Sequence, residues 1–338
     1  MVALAGVTAP LAPAQADDLE AAFDRSIGVR PAKPAVPALP RYQSFVQQPV
    51  YEQRAYSSPL EAQVAALANA AQGRIGVAAI DLSSGRTLAV LGSQPFPLAS
   101  TSKIAVVATF LEGVDQGRFR LTDRFPLMIP VASPKFSSAE APAKPGAMLT
   151  AEQLIEAAIT RSDNHATDAL LAAIGGPAEV NRWLQRAGIT GMRMDRTIAT
   201  LVRDDGAINP AVSVDIRDSA TPLAMTRLLS GLYQGQWLSP ASRSVLLGAM
   251  GRCVTGKNRM KAQLPEDARI AHKTGTLNNT SSDVGIIETP DGRAFAVAVY
   301  TTGQGGKPAR DARIAAITRA IYDGYRAEGY GQRLSAAR

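Results

Sequence analysis

The sequence predicts an α+β fold, with an antiparallel sheet, flanking terminal helices and an inserted all-helical part. Two observations lead to this prediction. Residues 74–92 and 269–302 are rich in β-forming residues, and the segment between them shows mostly helical patterns. Strands at both ends of a run of helices are typical of an α+β architecture. We therefore expect three layers and a sheet that joins distant parts of the chain.

The N-terminal elements are predicted from hydrophobic periodicity. A helical pattern covers residues 59–71, and the β-rich runs RIGVAAIDL and TLAVLG follow as a hairpin around the turn SSGR at 83–86. The next helix begins near Ser100. Its apolar residues recur at helical spacing, so one face should be core. These residues are Ile104, Val107, Phe110 or Leu111, and Val114.

Start signals mark the helices of the middle segment. Thr150 and Gln153 have the spacing of a capping box, and Pro177, Pro222 and Ser239-Pro240 are typical of first turns. The β runs RIAHKTGT, DVGIIET and AFAVAVYTT then complete the sheet, and a final amphipathic helix is expected at 308–328.

Composition limits the classes of function. The chain has 338 residues, of which 46% are hydrophobic and 19% charged, enough for a large core. Its net charge of +7 is scattered without a Lys/Arg-rich run, which argues against nucleic-acid binding. One cysteine, Cys253, and two histidines, His165 and His272, argue against an internal disulfide or a structural zinc site. We expect no cofactor, no metal, no transmembrane segment and a monomer.

The N-terminal segment predicts export. Residues 1–16 are apolar and end in Ala-Gln-Ala, which resembles the end of a signal peptide, although a basic start is missing and a frayed tail is the alternative. Residues 17–58 form a Pro/Ala-rich linker. The folded domain is predicted at 57–330, with an α/β part at about 57–97 and 220–330 and a helical part at about 98–219. The expected location is periplasmic or secreted.

Ser100 and Lys103 are the first candidate catalytic pair. Residues three apart on a helix share a face, and this face is predicted to be buried. A buried lysine has a lowered pKa, and its neutral amine can take the proton of a neighbouring hydroxyl. Alternatively, Ser100 caps the helix and Lys103 extends to the surface.

Two further polar motifs interrupt apolar patterns. Ser162-Asp163-Asn164 separates two helical segments, where it either faces a cleft or ends a helix with an ordinary cap. Lys273-Thr274-Gly275 ends a β run. There a glycine allows close backbone approach and a lysine can bind a carboxylate, or the lysine only protects an edge strand.

Together the three motifs resemble the active-site set of class A β-lactamases and penicillin-binding proteins. Their order and the flanking segments FPLASTSK and IGGPAEVNRWL extend the resemblance over about residues 57–328. The resemblance implies that Ser100 is the acylated nucleophile, Lys103 its activating base and Ser162 a proton shuttle. It also implies that five residues bind the substrate, and the last four of them are consecutive in one β run. These are Asn164, Lys273, Thr274, Gly275 and Thr276.

The resemblance fails at the residue that activates the deacylating water. Class A enzymes use a glutamate on a loop that Arg196 and Asp218 would close at its base. This chain has Thr-Ile-Ala at 197–199 instead, and Glu266 is the only glutamate between Arg182 and Ile270. Asp204 or Asp205 could replace it, or both are turn residues beside a glycine.

Three functional hypotheses follow. The first is a class A type serine hydrolase of β-lactams with impaired deacylation. The second is a D,D-peptidase or penicillin-binding esterase acting on D-Ala-D-Ala cell-wall peptides. The third is an inactive domain that only binds such ligands.

Overall fold

A five-stranded antiparallel sheet is the centre of the fold. The computed structural model describes residues 58–70 and 72–336, with side chains to residue 327. The strands lie in the order β2-β1-β10-β9-β8. Their bounds are β1 Gly73–Asp81, β2 Thr87–Val90, β8 Arg269–Leu277, β9 Thr280–Glu288 and β10 Ala294–Gly303. The two ends of the folded chain therefore build one sheet, as the sequence predicts.

Strand β10 shows how the sheet separates two hydrophobic cores. Successive side chains of a strand point to opposite faces. Val297 and Val299 pack with the terminal helices, whereas Ala298 and Tyr300 pack with the inserted helices. A strand buried on both faces reads as a continuous apolar run, and this explains the segment AFAVAVY.

The terminal helices, α1 (Pro59–Ala68) and α9 (Lys307–Ala336), cover one face of the sheet. Val64 of α1 and Ile317 and Ile321 of α9 are fully buried there. The first helix ends three residues earlier than predicted, and the last begins one residue earlier and runs past residue 328. The predictions made for residues 1–57, a signal peptide followed by a linker, concern a part of the chain outside the described residues.

The inserted part contains helix α2 (Lys103–Asp115) at its centre. Every residue from Lys103 to Leu111 is buried, so the helix is core on all sides and the prediction of a single apolar face is too narrow. The helices around it are α3 Ala151–Thr160, α4 Asn164–Ile174, α5 Pro177–Arg186, α6 Ile198–Asp204, α7 Pro222–Gln234 and α8 Pro240–Gly251.

The inserted part also contains strands, although the sequence predicts it to be all helical. Strands β4 (Arg124–Pro130) and β5 (Ala143–Thr150) form a partly exposed hairpin. A small sheet has the order β3 (Phe96–Pro97), β7 (Asp218–Ala220) and β6 (Met192–Met194). This small sheet places the end of the segment 195–218 beside the segment that leads to Ser100.

Local capping signals are confirmed. Thr150 and Gln153 form the reciprocal capping box of α3, and Pro177, Pro222 and Pro240 occupy first-turn positions. These caps fix where each helix begins, and hence which residues reach the cleft. Over the described part of the chain, no helix is long and apolar enough to span a bilayer.

Candidate active site

Ser100 lies in a short 3-10 helix, Ala99–Ser102, that leads directly into α2. Ala99 has a φ of +47°, a left-handed conformation that costs energy for a residue with a side chain. This bend keeps Ser100 partly exposed while its neighbours are buried. The first N–H groups of such a helix have no helical partner, so the Ser100 N–H is available to a ligand. In the described residues, the Ser100 hydroxyl makes no side-chain hydrogen bond.

Lys103 is completely buried and points at the Ser162 segment. Its Nζ donates to Ser162 O at 2.5 Å, to Asn164 Oδ1 at 2.7 Å and to Ser162 Oγ at 3.2 Å. Two of the three motifs therefore meet at one amine. The alternative in which Lys103 extends to the surface is wrong.

Burial holds the pKa of Lys103 well below its usual range, and the positive charge of Lys273 lowers this pKa further. Asp163 and Asp168 oppose the shift. The buried site therefore favours the neutral amine over the charged one, compared with an exposed lysine. A neutral lysine beside a serine can act as a general base.

Ser162 connects the two lysines of the cleft. It has a φ of +60° at the break between α3 and α4, where Asp163 caps α4 by accepting from Ala166 N at 2.8 Å. Lys273 Nζ also donates to Ser162 Oγ, at 2.9 Å. The hydroxyl can thus exchange protons with either amine.

The third motif lies on β8, which is the edge strand of the sheet. A Cβ on Gly275 would lie 3.0 Å from Ala99 Cβ and 2.4 Å from Ser282 Oγ, so only glycine lets this strand pack against the segment before Ser100. Thr274 is held through Thr255, whose hydroxyl lies 2.6 Å from its own. Every second N–H of an edge strand is free of the sheet. Thr276 lies on this strand, directly after Gly275.

Arg259 is a buried residue of the site that the sequence reasoning missed. Its guanidinium donates to Gly275 O at 3.0 Å and to Thr276 Oγ1 at 2.8 Å, and it pairs with Asp311. It therefore adds a cation behind the third motif. Nothing in the sequence around Arg259 indicates that its side chain reaches β8.

The loop between Arg196 and Asp218 is closed at its base by ion pairs. Arg196 pairs with Asp218 through Nε and with Asp215 through Nη2 at 3.0 Å. Burial raises the pKa of Asp218, and Arg196 and backbone N–H groups counteract the shift. Arg196 and Asp218 therefore form the pair that the resemblance implied. Both lie in segments of the chain that are separate from the three motifs.

Where the resemblance would place a glutamate, the loop instead begins helix α6. Asp168 of α4 holds this start, because its two carboxylate oxygens accept from Ile198 N at 2.7 Å and Ala199 N at 2.8 Å. Burial raises the pKa of Asp168 to about 6, against these hydrogen bonds and the charge of Lys103. The sequence reasoning missed this carboxylate. Asp168 lies within a helical pattern, and nothing in the sequence indicates which backbone N–H groups it binds.

Asp204 and Asp205 bind neighbouring segments. Asp204 pairs with Arg203 and accepts from Phe136 N at 3.1 Å. Asp205 accepts from Gly206 N and Asn278 N, each at 2.8 Å. Both carboxylates therefore have structural partners.

Comparison with known proteins agrees with this geometry. A family model described as "Beta-lactamase enzyme family" matches residues 59–325. The chain belongs to the β-lactamase family. A β-lactamase of Streptomyces albus G is 31% identical over 75% of this chain and 80% of its own length. The CTX-M-25 β-lactamase of Escherichia coli is 31% identical over 80% of this chain and 91% of its own.

A solved structure identifies the class. An ancestral (GNCA) class A β-lactamase has a TM-score of 0.69 and 37% identity, covering 78% of this chain and 99% of its own. The predicted α+β fold is confirmed by this likeness. This β-lactamase is of the class A type and is a serine hydrolase.

Proposed function

We propose that this β-lactamase opens β-lactams by forming an acyl-enzyme on Ser100 and releases the product slowly. The observation that carries the proposal is the contact of the buried Lys103 amine with Ser162, one helical turn from Ser100. It provides a base, a proton relay and a nucleophile at one point of the fold.

The acylation step follows from these contacts. Neutral Lys103 accepts the proton of Ser100, and Ser100 Oγ forms a bond to the lactam carbonyl carbon. The C–N bond of the ring then breaks, and Ser162 passes a proton from Lys103 to the leaving nitrogen. The relay is supported by the position of Ser162 Oγ, 3.2 Å from Lys103 Nζ and 2.9 Å from Lys273 Nζ.

The third motif supplies binding and charge stabilisation in this proposal. Lys273, with the hydroxyls of Thr274 and Thr276, binds the substrate carboxylate, and Arg259 adds positive potential from behind the strand. The N–H groups of Ser100 and Thr276 stabilise the oxyanion. Asn164 binds the amide side chain of the substrate and at the same time keeps its hydrogen bond with Lys103.

Deacylation is the weak step because no glutamate occupies the start of α6. Asp168 is the nearby carboxylate on that side, but both of its oxygens already accept from the backbone of that helix. General-base assistance contributes about 10² to 10⁴-fold to such a step. We therefore expect the acyl-enzyme to accumulate during turnover.

Intact mass after mixing with benzylpenicillin tests the proposal. We expect an adduct on Ser100 that forms quickly and decays slowly, together with hydrolysed product. Ser100→Ala is the control and should form no adduct. No adduct on the wild-type chain would leave only the third hypothesis, an inactive binding domain.

A second candidate function is favoured by the same missing glutamate. A peptidase that transfers a D-Ala-D-Ala peptide acyl group needs the acylating residues but no dedicated base for β-lactam hydrolysis. Release of D-alanine from such a peptide, at a rate exceeding that of β-lactam turnover, would favour this reading. For either substrate we propose that the chain is exported, since its apolar N-terminal residues end in Ala-Gln-Ala.

A further inference from the structure

A continuous line of polar contacts runs from the last helix to the strand of the third motif. Lys307 Nζ lies 3.1 Å from Asp311 Oδ2, and both residues lie on α9. Asp311 Oδ1 accepts from Arg259 Nε at 2.8 Å, and Arg259 Nη2 donates to Thr276 Oγ1 at 2.8 Å. Of these residues, only Thr276 has a role that the resemblance implies. The line therefore connects the terminal helix to the candidate substrate site.

The guanidinium of Arg259 is held in one orientation by its other contacts. It is fully buried, and its Nη1 donates to Gly275 O and to Ser282 O, each at 3.0 Å. A guanidinium is a rigid, planar fork, so the contacts of Nε and Nη1 determine where Nη2 lies. Asp311 is 3% exposed and is the carboxylate that Nε meets. Asp311 therefore helps to decide that Nη2 lies beside Thr276.

The contact with Arg259 fixes the direction of the Thr276 hydroxyl. A guanidinium can only donate hydrogen bonds, whereas a hydroxyl can both donate and accept. Thr276 Oγ1 is therefore the acceptor in this contact, and its own hydrogen points away from Arg259. Among the described residues, no other side chain or backbone group bonds this hydroxyl, and Thr276 is partly exposed. The hydrogen is therefore available to a bound ligand.

Thr274, two residues earlier on the same strand, provides a contrast. Its hydroxyl lies 2.6 Å from the hydroxyl of Thr255, and either of these two groups can be the donor. Thr274 is also buried, with an exposed fraction of 4%. Its partner therefore leaves the direction of the Thr274 hydroxyl open, whereas the partner of Thr276 makes that hydroxyl a donor.

We propose that Asp311 is a positioning residue, which holds Arg259 so that the Thr276 hydroxyl donates to the substrate carboxylate. This inference rests on the proposed function and adds that Arg259 acts through Thr276, not only through its charge. Hydrogen bonds to an ionised acceptor are stronger than those to a neutral one. The site should therefore prefer a substrate with a free carboxylate to its neutral ester.

Acylation by benzylpenicillin and by its methyl ester measures this preference. Intact mass gives the second-order rate constant of adduct formation on Ser100 for each compound, and the ratio of the free acid to the ester is compared between variants. A general loss of active protein lowers both rates alike and leaves the ratio unchanged. Thr276→Val keeps the shape of the side chain without its hydroxyl, so the ratio should fall by about tenfold or more. Thr276→Ser retains the hydroxyl and should keep the wild-type ratio.

Two variants behind the strand test the positioning. Arg259→Lys keeps the positive charge but lacks the fork that joins Asp311 to Thr276, so the ratio should fall about tenfold. An unchanged ratio in this variant would show that charge alone acts and would overturn the proposal. Asp311→Asn removes the charge that holds Arg259, so the ratio should also fall. Asp323→Asn, the matched control, breaks an exposed ion pair with Arg319 on the same helix and should leave the ratio unchanged.

The double variant of Asp311→Asn with Thr276→Val separates action through Thr276 from direct contact with the substrate. Substitutions that act through the same group are not additive, so the double variant should have the ratio of Thr276→Val alone. A further fall, equal to that caused by Asp311→Asn alone, would contradict the proposal because Arg259 would then act independently of Thr276. If circular dichroism shows that Asp311→Asn does not fold, the result for Arg259→Lys decides.

The absence of any adduct on the wild-type chain would contradict the proposed function and not the positioning. The preference is then measured as the ratio of the dissociation constants of the two compounds, obtained by ligand-observed NMR. The same variants and the same expected order of ratios apply. An equal affinity of the wild-type chain for acid and ester would overturn the proposal.

Discussion

The cluster around Ser162 and the loop between Arg196 and Asp218 differ in how closely they match the active-site set that the resemblance implies. Lys103 and Lys273 come from separate elements, and both donate to Ser162 Oγ, at 3.2 and 2.9 Å. The loop between Arg196 and Asp218 keeps its ion-paired base but begins with Ile198 and Ala199 where a catalytic glutamate would lie. In the proposed function, the first region supplies acylation, whereas the second is held in place but supplies no base for deacylation.

The difference teaches that loop architecture and loop chemistry are separable. Asp168 anchors the start of α6, and the Arg196 ion pairs join the two ends of the loop. These contacts hold the loop without a glutamate at residues 197–199. The following five substitutions test the two halves of this comparison.

The largest effect is expected for Lys103→Ala. Removal of the buried amine eliminates the base that accepts the Ser100 proton, so acylation should slow by about 10² to 10⁴-fold. The rate of adduct formation with benzylpenicillin measures this, and circular dichroism checks the fold. Lys144→Ala, at an exposed position on β5, is the matched control and should leave the rate unchanged. Wild-type acylation by Lys103→Ala would show that another group is the base.

Arg196→Ala tests the scaffold of the loop. The substitution leaves Asp218, whose side chain is only 2% exposed, without its cation. Breaking one partner of a buried pair costs about 3–5 kcal/mol of unfolding free energy. Urea unfolding measures the loss. Arg193→Ala removes a pair in which the arginine is 54% exposed and should cost less than about 1 kcal/mol. Similar losses in the two variants would contradict a special role for the buried pair.

Asp168→Asn tests the anchor of α6 through pH dependence. The pKa of Asp168 rises from 3.8 to about 6 on folding, so the folded chain binds more protons than the unfolded chain between these values. Its contribution to stability is therefore present below about pH 4 and is lost as the pH rises to about 6. Two pKa units correspond to about 3 kcal/mol.

The measurement compares urea unfolding of both proteins at pH 4 and pH 7. The amide can accept only one of the two N–H groups, so the variant is less stable at pH 4. Its deficit should then shrink by up to about 3 kcal/mol at pH 7, because the amide does not ionise. An equal deficit at both pH values would show that the Asp168 carboxyl does not titrate as described.

The smallest effect is expected for Asp204→Asn and Asp205→Asn, made separately. Both carboxylates bind backbone N–H groups of neighbouring segments, so the decay of the acyl-enzyme should change by less than about threefold. Mass spectrometry of the decaying adduct measures this rate. A thousandfold slowing in either variant would identify that residue as a replacement base.

Local sequence signals predict the sheet and the helix starts, whereas the meeting of the three motifs is implied by the resemblance to class A β-lactamases. Capping residues such as Thr150 and Gln153 act within one turn, so their effect is readable from neighbouring letters. The β4–β5 hairpin was not predicted because prolines such as Pro126, Pro130 and Pro145 are unusual in strands. They are tolerated here in an exposed pair of strands with a register shift.

The contacts that single-chain reasoning missed are long-range. Arg259 reaches Thr276, and Asp168 reaches Ile198, 30 residues away in the chain. Spacing within an element shows which residues share a face, but it does not show which distant backbone group lies opposite. The full burial of α2 was not predicted for the same reason. The elements that cover the side opposite its apolar repeat come from elsewhere in the sequence.

The pairing of β1 with β10 has a consequence for biosynthesis. Gly73 lies opposite Gly303, so β1 can pair with β10 only after a further 230 residues have been synthesised. Contacts of such high sequence separation slow folding and leave apolar edges open in the meantime. Lys273 lies on a strand of the same late-forming sheet, so a nascent chain has no assembled pocket until nearly all of it has been translated.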